Sequence, residues 1–475
     1  MATQCNAEQF LFEGLGGREC VASFDGGRVS SDAGVVILRE VDGLLALTKR
    51  FAACFTDHRN QDLIEHDVES IVSQRVFGIA LGYEDVSDHD ELRADPLFAA
   101  VCGKKDVEGA KRRRERDRGN ALAAKNTLSR MELTKAGATK DERYKKVDLR
   151  EQDVDQLLVD VFVESFGGAA PAEVEIDLDA TDAPLHGAQE GRHFHGYYGH
   201  YCYLPLYAFC GEHLLLARLG TADKDPGALA AEELPRLVAR LRRHWPEVKV
   251  IVRGDSGFCR DALMAWCEKE DHFFVLGLAK NARLEEEVAE ELARAKELCA
   301  KEGRPVRFFK DFDYRTLDSW SRTRRVVGKA EHLVGDKSNP RFIVTNLPRG
   351  RWTARQLYED VYCARGDMEN RIKEQQLGLF ADRLSTPTIR GNQTRLYFSS
   401  VAYVLMHGLR RLGLKDTDLS RAQCSTIRLK LLKIGAVLKV SVRRIWVSMS
   451  SAFAAKEVFA AALRNLRAAA PPAAA

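Results

Sequence analysis

The sequence predicts an α/β fold with a mixed sheet flanked by helices, and three observations carry that prediction. Glu173-Val-Glu-Ile-Asp-Leu-Asp-Ala180 alternates acidic and apolar residues, the two-residue period of a strand with one polar face. Leu234, Leu237, Val238 and Leu241 recur at three- and four-residue spacing, the buried stripe of a helix. Residues 248–252 and 273–278 are apolar-rich runs of strand length, with a helical stretch between them at 261–269.

In chain order, helical spacing dominates the first 166 residues. Val68, Ile71, Val72, Val76 and Ile79 form one stripe, and Val154, Leu157, Leu158, Val161 and Phe162 another. Gly167-Gly-Ala-Ala-Pro-Ala-Glu173 breaks the pattern as a linker. Three strands follow, at 173–180, 201–209 and 213–219, in an antiparallel meander. Asp225 caps the next helix, with Pro226 at its first position. The resulting order, β-β-β-α-β-α-β, is that of a ribonuclease H-like core. Residues 304–347 alternate as strands do and read as a β-rich inserted subdomain, while 396–409 reads as a buried helix too short to span a bilayer. A chain of 475 residues exceeds the usual size of a single core, so at least two domains are expected. The predicted division is a helical N-terminal domain over 1–166, the core over 173–415 interrupted by 304–347, a basic region over 416–467 and a disordered tail over 468–475.

Composition is that of a globular chain, 45% hydrophobic and 30% charged. The 11 cysteines include no Cys-x-x-Cys pair, which argues against a disulfide framework or zinc ribbon and for a reducing cytoplasm. Residues 1–12 lack the basic flank and apolar core of a secretory signal. Net charge is only +3, but it is unevenly spread. From Leu419 to Lys456 there are eight Lys or Arg residues and no Asp or Glu, interleaved with Ile427, Leu431, Val437 and Val440. That pattern predicts a folded segment whose basic face contacts phosphate through Arg428, Lys433, Arg443 and Arg444. Lys111 to Arg118 is a second basic cluster, equally compatible with a solvated face.

Three acids have the character that metal-dependent phosphodiester chemistry needs, oxygen ligands brought from separate elements. Asp179 lies in the first core strand, with Asp177 on the same side and Asp182 as a further local candidate. Asp255 ends a strand in Arg253-Gly-Asp-Ser-Gly257, where glycines permit close approach. Glu369 falls on a helix after the insertion, sharing a face with Tyr362, Arg365, Lys373 and Gln376, beside an apolar stripe of Leu357, Val361, Met368 and Ile372.

Tyr362-x2-Arg365-x3-Glu369 resembles the Tyr-Arg-Glu-Lys motif of one group of insertion-sequence transposases, and Asp179-Ala-Thr and Arg253-Gly-Asp-Ser-Gly-Phe258 resemble its two aspartate motifs. Within that group the chain is most similar to the insertion-sequence family numbered 1380. Phe24-Asp-Gly-Gly27 with Ser31-Asp-Ala-Gly34, Gly196-Tyr-Tyr198, Arg341-Phe-Ile-Val-Thr-Asn346 and Glu369-Asn-Arg-Ile-Lys-Glu374 carry the likeness, over roughly residues 20–460. The sequence departs from the motif at Gln376, where a lysine is expected, and the stretch at 111–118 looks inserted.

The resemblance implies a cut-and-paste DDE transposase acting on the terminal inverted repeats of its element. Asp179, Asp255 and Glu369 would hold two Mg²⁺ ions, with Mn²⁺ able to substitute. It implies double-stranded DNA and a second copy of the chain as partners, in the cytoplasm and at the nucleoid. Tyr362, Arg365 and the Lys373/Gln376 surface would contact DNA. For Trp320, just before three arginines, two roles are open: stacking on a base flipped out near the cut, as in hairpin-forming relatives, or the core of the insertion. His193, His195 and His200 read as surface or DNA-contacting residues rather than zinc ligands. A repair or recombination nuclease on the same core, and an inactive DNA-binding descendant, are the rival readings.

Overall fold

The computed structural model describes residues 9–470, so the expectations for residues 1–8 and for 471–475 of the tail lie outside it. The chain divides into two compact units. One gathers the described residues before 54, residues 57–131 and those from 408 on; the other comprises 54–56 and 132–407.

The second unit is built on a large mixed sheet. Its principal strands are β1 (Glu173–Ala180), β2 (His200–Cys210), β3 (His213–Thr221), β4 (Lys249–Gly254), β5 (Phe273–Leu278), β6 (Val306–Tyr314), β7 (Arg324–Leu333) and β8 (Arg341–Thr345), in spatial order β3-β2-β1-β4-β5-β8-β7-β6. β1, β4 and β5 run parallel, and every other principal pairing is antiparallel. The principal helices are α1 (Glu151–Glu164), α2 (Pro226–His244), α3 (Asp261–Lys269), α4 (Ala289–Glu302), α5 (Gly366–Lys373) and α6 (Ile389–Gly408). Asp225 caps α2 through the Gly227 amide, with Pro226 in the first turn, as its sequence predicts.

Alternation along the strands sorts side chains to two faces. Val174, Ile176, Leu178, Val250, Val252, Phe274 and Leu276 pack into one core with Val159 and Phe162 of α1 and Leu234, Leu237 and Leu241 of α2. Ile251 and Val275 point the opposite way, into a smaller core with Leu357 and Val361.

The structure departs from the expected layout in two places. The strands within 304–347 do not fold apart from the core: β8 pairs with β5, and β7 and β6 extend the same sheet. Residues 132–166 belong to the sheet unit and not to a separate N-terminal domain, because α1 buries its apolar stripe on the sheet.

The first unit joins the two ends of the chain. Val29–Ser30, Ala436–Val440 and Ile445–Met449 form a three-stranded sheet, beside helices at Val35–Leu45, Val68–Leu81 and Lys456–Ala469. That last helix covers the start of the expected tail. Ala33 and Gly34 donate their amides to the Ile434 and Leu432 carbonyls, at 2.9 and 3.1 Å. A Cβ at Gly34 would collide with the Leu431–Leu432 backbone, so this close approach requires glycine. Among the described residues no helix is long and apolar enough to cross a membrane.

Candidate active site

Because Val174, Ile176 and Leu178 point into the larger core, Glu175, Asp177 and Asp179 occupy the other face of β1. The parallel register sets Arg253 beside Asp177 and Gly254 beside Leu178, so the chains leave the sheet with Asp179 and Asp255 as neighbours at the strand tips. Open-sheet ligands bind at such carboxyl ends. Asp255 accepts from the Gly257 amide at 2.8 Å, which fixes the turn after β4.

The helical segment at 354–378 is not a uniform helix. It winds as a π turn over Leu357–Tyr362, a 3₁₀ turn over Cys363–Arg365, α5, and a second π turn over Glu374–Gly378. Leu357, Val361, Met368 and Ile372 are buried, the stripe expected from the sequence. Tyr362 and Arg365 are half-buried, and Glu369 and Lys373 are exposed. At Gly277 on β5 a Cβ would stand 2.7 Å from the Tyr362 hydroxyl and 2.9 Å from the Ser256 amide nitrogen, so only glycine lets Tyr362 approach the Asp255 turn.

These groups share one electrostatic environment. Burial and then the charge of Asp255 push the Asp179 carboxyl up to about 6; Arg365 opposes the shift and Glu369 adds to it. Burial would lower the Arg365 guanidinium, but Tyr362, Asp179 and Asp255 hold it above its ordinary value. Burial raises the Tyr362 phenol, with Arg365 opposing and Asp255 adding. The Arg365 guanidinium lies 5.4 Å from the centre of the Tyr362 ring. Among the described residues no three or more His, Cys, Asp or Glu side chains close to the distance of a shared metal ion, so the acids act on one another without meeting at a point. Their chemistry suits a hard divalent cation all the same: carboxylate oxygens, with Asp179 pushed toward its protonated form partly by negative neighbours.

Nearby groups have distinct tasks. Asp177 is buried and bonded to Arg253, which separates it from Asp179 despite their shared face. The Asp182 carboxylate lies 2.8 Å from His200 Nε2, and His193 lies 3.5 Å from Asp223. The His195 ring packs on Tyr198, whose phenol is pushed up to about 12 by burial and then by Asp182 and Asp179. An open cavity of about 470 Å³ adjoins Asp255, walled by Gly277, Lys280, Arg341, Tyr358, Tyr362 and Arg365 among others. Lys280, Arg341 and Arg365 face a single carboxylate there, which favours an anion.

Three residues expected at DNA have partners within the protein, and of the two roles open to Trp320 the structure shows burial in the core. Trp320 is 5% exposed and packs edge-on to Tyr314 at 5.9 Å within the core, so it presents no face to a base. Arg428 donates to the Ala80 and Ile79 carbonyls at 2.9 and 3.3 Å, at the C-terminal end of the Val68–Leu81 helix. Lys433 is paired with Asp32 at 2.6 Å and lies over the Tyr83 ring. Gln376 turns inward and donates to the Asp182 carbonyl at 3.0 Å. Arg443 and Arg444 remain exposed between the two C-terminal strands. Gly277, Lys280, Arg341 and Tyr198 were not singled out individually by the sequence reading. The only signal for the first two was their place at and just beyond the tip of β5.

The mixed sheet, with Asp179 and Asp255 at the tips of adjacent parallel strands, is consistent with a catalytic core of the DDE type. The chain belongs to the family described as transposase DDE domain group 1, which matches residues 12–471. Membership implies DNA as the substrate, and enzymes of this type generally use divalent metals. Comparison with curated proteins finds no match.

Proposed function

We propose that this chain is a cut-and-paste transposase on a ribonuclease H-like core, cleaving at the terminal inverted repeats of its own mobile element and joining the freed 3′ ends to target DNA. The observation that carries the reading is the pair of strand tips, Asp179 and Asp255, facing the helix of Glu369. The strand order β3-β2-β1-β4-β5, with β1, β4 and β5 parallel, supports the choice of core.

Asp179, Asp255 and Glu369 would hold the divalent ions, Mg²⁺ or Mn²⁺. Bound there, the metal would activate an attacking oxygen and stabilise the leaving one. The chain's own residues do the rest. Arg365, Lys280 and Arg341 attract the phosphate backbone into the cavity beside Asp255, and Tyr362 fixes the Arg365 guanidinium beneath it. Lys373, exposed on α5, and Arg443 and Arg444 extend the contact with DNA, and two copies of the chain act on paired ends.

The test is cleavage of duplexes carrying the element's ends. Asp179→Ala, Asp255→Ala and Glu369→Ala should each abolish cutting while end binding persists. Cutting without joining by the wild-type protein would instead make it a nuclease, and cutting that survives loss of any one acid would remove that residue from the site.

A further inference from the structure

Gln376 stands seven residues past Glu369, where the resemblance places a lysine, yet its side chain reaches back into the protein. Its Nε2 donates to the carbonyl of Asp182, three residues beyond Asp179. The same Asp182 is also held by His200, through its carboxylate. The preceding residue, Gln375, is fully buried and donates to Ser400 Oγ of α6 at 2.9 Å. Consecutive side chains on a helix diverge by about a quarter turn or more, so the two glutamines tie the end of this helical segment to two different elements. The π turn over Glu374–Gly378 is where both attachments are made.

We propose that Gln376 is a positioning residue: its hydrogen bond to the Asp182 carbonyl braces the strand tip that carries Asp179 against the helix that carries Glu369. The physical need is plain. Three like charges repel one another across this gap, and something must hold the helix against the strand before a cation does. A neutral amide makes that attachment without adding a charge, whereas a lysine ammonium would be drawn to the carboxylates or to DNA phosphate. The inference rests on the reading of Asp179 and Glu369 as the acids of DNA cleavage.

The experiment compares full-length wild-type protein with Gln376→Met, which keeps the length and loses the donor, and with Gln376→Ala. Four quantities are read: Mn²⁺ affinity without DNA by electron paramagnetic resonance, cleavage at saturating DNA, end-DNA affinity across salt, and melting temperature. The brace predicts several-fold weaker Mn²⁺ binding and cleavage lower by roughly ten- to a hundredfold, the order that a misplacement of about 1 Å costs. DNA affinity, its salt slope and the melting temperature stay unchanged. A salt slope flatter by about 0.9 with cleavage retained would make Gln376 a phosphate contact and overturn the proposal. A melting temperature that falls together with every other quantity, or no change in any of them, overturns it equally. If the wild-type protein binds Mn²⁺ through Asp179 but cuts no DNA, the transposase reading fails, and the Mn²⁺ titrations still decide the brace.

Discussion

Arg253 and Asp177 form a buried ion pair through two hydrogen bonds across the parallel strands β1 and β4, Nε to Oδ1 at 2.6 Å and Nη2 to Oδ2 at 2.9 Å. Nη1 of the same guanidinium donates to the Val361 carbonyl at 3.0 Å and lies 2.9 Å from Glu175. One side chain thus joins both acid-bearing strands to the helical segment opposite them. Removing Asp177 leaves the buried guanidinium with only the half-exposed Glu175 as counter-ion, a loss of up to about 3–5 kcal/mol. Asp177→Ala is therefore expected to lower the melting temperature strongly, whereas Asp179→Ala should keep the fold and lose cleavage. Thermal denaturation beside a cleavage assay checks both; an Asp177→Ala protein as stable as wild type would remove the structural role.

The Asp179 carboxyl, at about 6 against an ordinary 3.8, binds its proton more tightly in the folded chain than in the unfolded one. Stability is therefore lost as pH rises from about 4 to about 6, and the deficit persists above that window. Asp179→Asn removes the charge and should stabilise the protein near pH 8 by on the order of 1–3 kcal/mol, with no gain near pH 3.5. Denaturant titrations at the two pH values measure it. An equal gain at both would mean that packing, not charge, is responsible.

Trp320 lies in the larger core, with Tyr314 at its edge and Arg324 over its ring. Trp320→Ala should cost about 3–5 kcal/mol and depress every step of the reaction in proportion to the folded fraction. Normal stability together with a selective defect at one step would return Trp320 to the DNA.

The basic C-terminal residues should separate into two behaviours. Arg443→Ala with Arg444→Ala is expected to flatten the slope of log affinity against log salt by up to about 1.8, at about 0.9 per lost phosphate contact. Arg428→Ala should leave that slope alone and lower the melting temperature, because its guanidinium serves two helix-end carbonyls. Binding isotherms at several salt concentrations decide; a flatter slope for Arg428→Ala would contradict the assignment.

Period and capping were legible in the sequence. The strands at 173–180 and 273–278 and the helix at 261–269 lie where their spacing puts them, because each buries a continuous stripe. Partner choice was not legible. The alternation within 304–347 says strand, but nothing local says that β8 pairs with β5. Charge counting could not tell Arg428 from Arg443, since the carbonyls that engage Arg428 lie about 350 positions earlier in the chain. The placement of Asp179 and Asp255 at strand ends could be read from the apolar runs that precede them. The task of Asp177 could not, because Arg253, 76 positions away, is its partner only once β1 and β4 lie side by side.

The pairing of Val29–Ser30 with Ala436–Val440 has a consequence for synthesis. On the ribosome, the first strand of that sheet emerges about 400 residues before its partner, an interval of roughly 20–80 s at about 5–20 residues per second. Residues 132–407 are contiguous apart from the short 54–56 segment that joins them, so this unit has all its strands while the other still lacks the segment from 431 to 449. Throughout that interval the nascent chain lacks the Lys456–Ala469 helix that packs on the Val35–Leu45 helix, and truncation shortly before residue 431 would leave the early helices without the backbone against which Gly34 closes.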